Sequence, residues 1–255
     1  MGWLERRVRA ISRSAWRKAP PELEVLQADA LDREQISQAH NTTLVFADDT
    51  GMYGKVHGSA SEEHPPRPEG PKGLLRARMA ERLMQAHAHG EVRAVIGRAP
   101  ELFGPQVESL IGTNIFRAAL KGKRALWPGK LDSPINPLFI DDFARALIVL
   151  GQEQSAAGQI WHVPANQATT GREFVQMVFE EADRKPKLSA LRCSVLQALG
   201  LVWPLAREAV ELLYQFEPPY IIDSSTFVQE FGGTATPYRE GIRRTLAWYR
   251  CQLES

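Results

Sequence analysis

The stretch LVFADDTGMYG, Leu44–Gly54, opens with β-branched and aromatic residues and closes on Asp, Thr and Gly. That order reads as a strand over Thr43–Ala47 that runs out into a polar turn. Downstream, Pro65–Pro71 is proline-rich loop. Leu74–His87 then has helical apolar spacing, with Leu75, Met79, Leu83 and Ala86 on one face, and Val92–Ile96 reads as the next strand. Strand, loop, helix and strand make a βαβ unit, whose strands lie parallel with the helix crossing over between them.

Working outward, Arg7–Ile11 and Leu23–Gln27 read as strands, and Asp32–Ala39 reads as a short helix with Asp32 as its cap. Beyond about Gly104 the pattern turns more helical, with helices over Ile111–Leu120 and Phe143–Leu150. A strand over Gln159–Val163 precedes a helix over Thr170–Glu181, capped by Thr169 or Thr170, and helices over Val195–Tyr214 and Arg239–Tyr249 close the chain. The fold class is α/β, with a parallel sheet covered by helices on both faces.

At 255 residues the chain can bury a sizeable core. Thirty-one Lys and Arg oppose thirty Asp and Glu without a long block of one sign, which leaves no electrostatic footprint for nucleic acid. The longest apolar segment, Val195–Ala206, contains Pro204 and falls short of the ~20 residues a spanning helix needs, so no membrane span is expected. The first residues hold no apolar stretch of signal-peptide length. The two cysteines, Cys193 and Cys251, sit in no disulfide or metal-site spacing, and reduced thiols in a cytoplasmic protein are the expectation.

Three segments carry a resemblance: LVFADDTGMYG, NPLFIDDFARALIVL at Asn136–Leu150, and TPYREGIRRTLAWYR at Thr236–Arg250. Together they resemble the extended short-chain dehydrogenase/reductases, in the NAD(P)-dependent epimerase/dehydratase and 3β-hydroxysteroid-dehydrogenase-like branch. The resemblance implies a Rossmann-like nucleotide-binding portion over 1–105. Residues 106–255 would then hold the last Rossmann elements and a small C-terminal substrate domain. It implies NAD(P) as cofactor, a sugar-nucleotide, steroid-like or other carbonyl compound as substrate, and a homo-oligomer as one arrangement. The alternative is a non-catalytic protein of the same fold used in ligand sensing or subunit association.

Carried over position by position, the resemblance places Arg13 and Asp29, with Ala30, where the family meets the adenosine ribose and the adenine. Ala47, which ends the strand over Thr43–Ala47, is likewise implied at the cofactor. Arg98 and Ala99 lie in GRAPELFGP, Gly97–Pro105, which resembles the family's segment beside nicotinamide and substrate. There Ala99 replaces the usual Pro and Phe103 the usual Tyr. Tyr53 belongs to the family's structural YG turn.

The departures are equally specific. No strand and glycine-rich G-x-x-G-x-x-G loop opens the chain, although such a loop lets the backbone approach a pyrophosphate. The family's hydroxyl position falls on Asp49, its Tyr on Gly73 and its Lys on Ala77, so no catalytic residue is assigned. An ionised Asp only accepts hydrogen bonds. Arg76 and Arg78 are expected on a wet helix face, His87 and His89 on the surface, His162 packed in core or cleft, and Asp142 as a helix cap.

At Gln38–Thr42 the family's fourth strand is missing, and its first strand is missing with the loop. These two form the central pair of the doubly wound order, so their loss divides the sheet. Either the remaining strands pair differently, with a second copy of the chain for example, or the chain is a truncated or internally deleted relative of a complete enzyme.

Overall fold

The computed structural model describes residues 9–12, 24–27, 43–107, 109, 111–191 and 213–254. The short helix expected over Asp32–Ala39 lies outside them, as do Cys193 and most of the helix expected over Val195–Tyr214. Strands β1 (Arg9–Ser12) and β2 (Glu24–Gln27) pair in parallel, Arg9 against Glu24. Strands β3 (Thr43–Asp49) and β5 (Arg93–Ala99) also run parallel, from Thr43 opposite Arg93 to Asp49 opposite Ala99. β10 (Ile160–His162) adds to the far side of β5, giving the order β10–β5–β3.

Among the described residues, the β1–β2 pair and the β10–β5–β3 sheet are separate. That separation agrees with the expectation of a divided sheet.

Helix α1 (Pro71–Ala88) makes the crossover from β3 to β5. It starts on Pro71, where the missing N–H costs nothing. The expected apolar face is only partly what α1 buries: Met79, Leu83 and Ala86 are half-buried but Leu75 is 56% exposed, and the fully buried residues are Gly73 and Ala80. Small residues let α1 approach its neighbours closely, and that approach replaces a stripe of large side chains.

His87, expected on the surface, is half-buried. Its Nδ1 accepts the Ala94 backbone N–H at 3.1 Å, which ties the end of α1 to β5. Arg78 and His89 are exposed as expected.

The second half contributes α2 (Gly112–Leu120), α3 (Ile140–Gln152), α4 (Gly171–Glu181), α5 (Ser225–Phe231) and α6 (Tyr238–Glu254). Thr170 caps α4 in a capping box with Glu173, each side chain bonding the other's backbone N–H. Asp142 is not the cap of α3, which begins at Ile140; it lies in the first turn. Its carboxylate instead accepts from the Thr236 backbone N–H and hydroxyl, both at 2.7 Å, and pairs with Arg145.

A second sheet is formed by Gly58–Ala60 (β4), Pro134–Ile135 (β8), Thr169–Thr170 (β11) and Tyr220–Ile222 (β13), in the order β11–β8–β13–β4. β13 and β4 run parallel, Tyr220 opposite Gly58. Two further parallel pairs join β6 (Leu102–Phe103) to β9 (Leu138–Phe139) and β7 (Ala125–Pro128) to β12 (Leu188–Leu191). One core packs α1's neighbouring turn, α2, α4 and α6 around Phe103, Phe116, Phe174 and Trp127. A second, around Val95, Leu150 and Trp161, lies under β5, β10 and α3. Of the aromatic residues in the last third, Tyr214, Phe216 and Tyr220 are core, and Trp203 lies outside the described residues.

Candidate functional site

Ligands in open α/β sheets bind outside the carboxyl ends of the strands, and here those ends bring Ala47–Asp49 beside Gly97–Ala99. A 3₁₀ turn, Thr50–Tyr53, follows β3 at once. Asp49 caps it, its Oδ1 accepting the Gly51 N–H at 2.8 Å. From the other half of the chain, the Tyr220 hydroxyl donates to the Thr50 carbonyl at 2.7 Å and the Tyr214 hydroxyl to the Gly51 carbonyl at 2.6 Å. Burial raises the pKa of both phenols, so both remain protonated donors and the turn is held from two sides.

Behind the turn lies a buried polar chain. Arg98 donates through Nε to Asp48 Oδ2 at 3.0 Å and through Nη1 to the Tyr53 hydroxyl at 2.8 Å. The Tyr53 hydroxyl is 2.6 Å from His162 Nε2, and His162 Nδ1 is 2.8 Å from the Asp223 carbonyl. A carbonyl only accepts, so Nδ1 carries the proton and Nε2 accepts from Tyr53, whose oxygen accepts from Arg98. Every hydrogen bond in the chain then has one donor and one acceptor.

Glu62 braces the far end, its Oε1 accepting the His162 backbone N–H at 2.9 Å. Burial lowers the pKa of His162 against the pull of Glu62, and burial raises that of Asp48 against the stabilising charge of Arg98. Burial also raises that of Tyr53, with Arg98 opposing. Tyr53 is fully buried, as a structural YG turn requires, and His162 is packed beside it.

Of the residues expected at the cofactor, Ala47 is exposed at the strand end, whereas Arg98 and Ala99 are buried, Arg98 wholly inside the polar chain. Arg13, Asp29 and Ala30 lie outside the described residues.

Arg76, expected on a wet face, instead reaches the strand end. Its Nε is 3.0 Å from Asp49 Oδ2, and its Nη1 is 3.8 Å from Asp48 Oδ1. Spacing along the chain gave no signal for this, because the contact depends on how closely α1 approaches the turn. That approach is set by Gly73: a Cβ there would stand 2.7 Å from the Gly51 carbonyl oxygen and 3.1 Å from Pro68 Cβ.

Two concavities lie elsewhere. One of about 540 Å³ is lined by Asn166, Glu173, Tyr238 and Arg239, and one of about 910 Å³ by Lys130, Asp132, Arg172 and Glu217. Neither includes a residue of β3 or β5, so the strand ends, where family position and charge coincide, are the stronger candidate. Among the described residues no group of three or more His, Cys, Asp or Glu is placed to hold a metal ion, and no helix is long and apolar enough to cross a membrane.

Residues 19–163 match the sequence model of the NAD dependent epimerase/dehydratase family. No curated protein matches the chain. Among solved structures it is similar to MoeE5 in complex with UDP-glucose and NAD, at 18% identity and TM-score 0.72, over 97% of this chain and 92% of that one. The UDP-glucose 4-epimerase of Thermus thermophilus, in complex with NAD, is likewise 18% identical at TM-score 0.70, over 95% of this chain and 91% of that one. The dTDP-glucose 4,6-dehydratase of Bacillus anthracis, in complex with NAD, is 18% identical at TM-score 0.68 over 87% of this chain. The match spans 66% of that enzyme. At such identities the likeness shows the Rossmann-like fold.

In the first turns of α1, where the resemblance places the Tyr and the Lys, Gly73 and Ala77 offer no hydroxyl or ammonium group, and a Cβ at residue 73 would stand 2.7 Å from the Gly51 oxygen.

Proposed function

Because the chain belongs to the NAD dependent epimerase/dehydratase family, we propose that it binds that family's ligands at the carboxyl ends of β3 and β5. These are NAD(P) and a sugar-nucleotide or related carbonyl compound. Any chemistry it performs there runs without the Tyr-Lys pair. The observation that carries this reading is the open polar set at the end of β3. Ala47 and Asp49 reach solvent there, Arg76 lies across them, and Asp48 and Arg98 fix the floor. The NAD or NADPH bound in similar structures supports a dinucleotide as ligand class.

A second reading, ligand binding with no turnover, rests on Gly73 and Ala77 standing where the resemblance places the Tyr and the Lys. One experiment addresses both: titration of the chain with NADH and NADPH, following nicotinamide fluorescence and thermal stability together, then a turnover screen over keto compounds. Saturable binding with a stability gain that scales with ligand is expected. Turnover would favour the first reading and its absence the second; no binding by folded chain would refute both.

A further inference from the structure

The position that holds a hydroxyl group in the resembled family is here an acid, and the acid does not stand alone. Asp49 is 49% exposed along its side chain and Arg76 is 39% exposed. Between them, Asp49 offers an acceptor at Oδ2, its Oδ1 being committed to the Gly51 N–H, and Arg76 offers donors. A guanidinium carries five N–H donors. Asp49 Oδ2 sits 3.0 Å from Nε, which leaves the Nη donors for another partner.

Behind this exposed pair, Asp48 Oδ1 is buried and has no hydrogen-bond partner. Arg76 Nη1 is 3.8 Å away, too far for a hydrogen bond. A buried carboxylate oxygen left in this state is costly, and it faces the same guanidinium from the protein side.

Resting on the reading above, we propose that Arg76 and Asp49 are the ligand-contacting, specificity-determining pair of this site, and that the group they take is an alcohol of a polyhydroxylated ligand. The argument is one of complementarity. A carbonyl oxygen only accepts, so it meets one favourable and one repulsive neighbour. A hydroxyl donates to Asp49 and accepts from Arg76, satisfying both at once. Both bonds are charge-assisted and therefore stronger than neutral ones.

The absence of a side chain at Gly73 belongs to the same arrangement. Because residue 73 packs directly on Gly51, the first turns of α1 come close enough for Arg76 to span to the strand end. The group lost at the Tyr position and the group gained one turn later are thus linked by a single backbone contact.

The test is calorimetric titration of the full chain with UDP-glucose and with UDP, which differ by the sugar. Arg76→Gln is expected to weaken UDP-glucose about 10- to 100-fold, the range for hydrogen bonds to a charged group. It should leave UDP unchanged within about twofold, and Arg76→Lys, which keeps the charge but not the fork, should fall between. Circular dichroism and thermal melting establish that each variant is folded. Should a variant fail to fold, Asp49→Asn, which keeps a capping oxygen, makes the same comparison. Unchanged UDP-glucose affinity in folded Arg76→Gln, or equal losses for both ligands, would overturn the pair's role while leaving the proposed function standing. Failure of folded wild type to bind either ligand would overturn both.

Discussion

Replacing Gly73 by Ala tests the close approach on which the site is built. The new methyl carbon would lie 2.7 Å from the Gly51 oxygen, 3.1 Å from Pro68 Cβ and 3.5 Å from the Gly51 carbonyl carbon. The neighbour it strikes is backbone and cannot swing aside. Gly51 is fixed through its N–H by Asp49 and through the same carbonyl by the Tyr214 hydroxyl. Either α1 shifts outward by several tenths of an ångström or the turn gives up one of these bonds. Overpacking of this kind costs about 1–3 kcal/mol. Against it stands the better helix propensity of Ala, worth up to about 1 kcal/mol and less in a first turn. The balance is a loss of about 1–2 kcal/mol. In urea unfolding it should appear as a lower midpoint with an unchanged slope. A Gly73→Ala variant as stable as wild type, or more so, would refute the claim that residue 73 presses on the turn.

Other consequences follow from the buried polar chain and the caps. Arg98→Met removes the partner of a wholly buried carboxylate and should cost about 3 kcal/mol or more, read from the same urea midpoints. His162 is held neutral in the fold because burial lowers its pKa, while in the unfolded chain it takes a proton near the ordinary value of 6.5. Its contribution is thus fully present above that pH. It is lost as pH falls, by at most about 1.4 kcal/mol per pH unit. Asp48, whose folded pKa is raised, acts with the opposite sign, so the difference between wild type and His162→Asn, compared at about pH 7.5 and about pH 5.5, isolates the histidine. Thr170→Ala breaks the capping box of α4 and should lower stability by about 1 kcal/mol. Asp142→Ala frees the Thr236 backbone N–H and should cost about 2 kcal/mol, with faster hydrogen exchange at Thr236.

Much of this was legible in the residues. The strands read over Thr43–Ala47 and Val92–Ile96, which extend in the structure to Asp49 and Ala99, the crossover helix and the capped helix after Thr170 carry their signals locally, in β-branched runs, apolar spacing and a Thr-x-x-Glu pattern. The separation of β1–β2 from β10–β5–β3 among the described residues was legible too, from the absence of a glycine-rich opening and the short junction at Gln38–Thr42. What was not legible depends on contacts between distant segments. Arg98, Tyr53 and His162 meet only when the strands stand in register, and nothing local distinguishes a buried guanidinium from a solvated one. Arg76 and Arg78 look alike on a helix pattern, yet Arg76 reaches Asp49 because of a glycine three residues earlier. The apolar face assigned to α1 held only in part, with Leu75 exposed, for the same reason. Its packing is decided by small residues, which carry little weight in a hydrophobic pattern.

The central claim, that ligands are held at the ends of β3 and β5 by this polar set, is tested most directly by hydrogen–deuterium exchange of the chain with and without NADH and UDP-glucose. Binding at this site predicts slowed exchange across Ala47–Tyr53 and the first turns of α1. Protection confined to the concavities around Asn166 and Tyr238 or around Lys130 and Arg172, or none in folded chain, would contradict it.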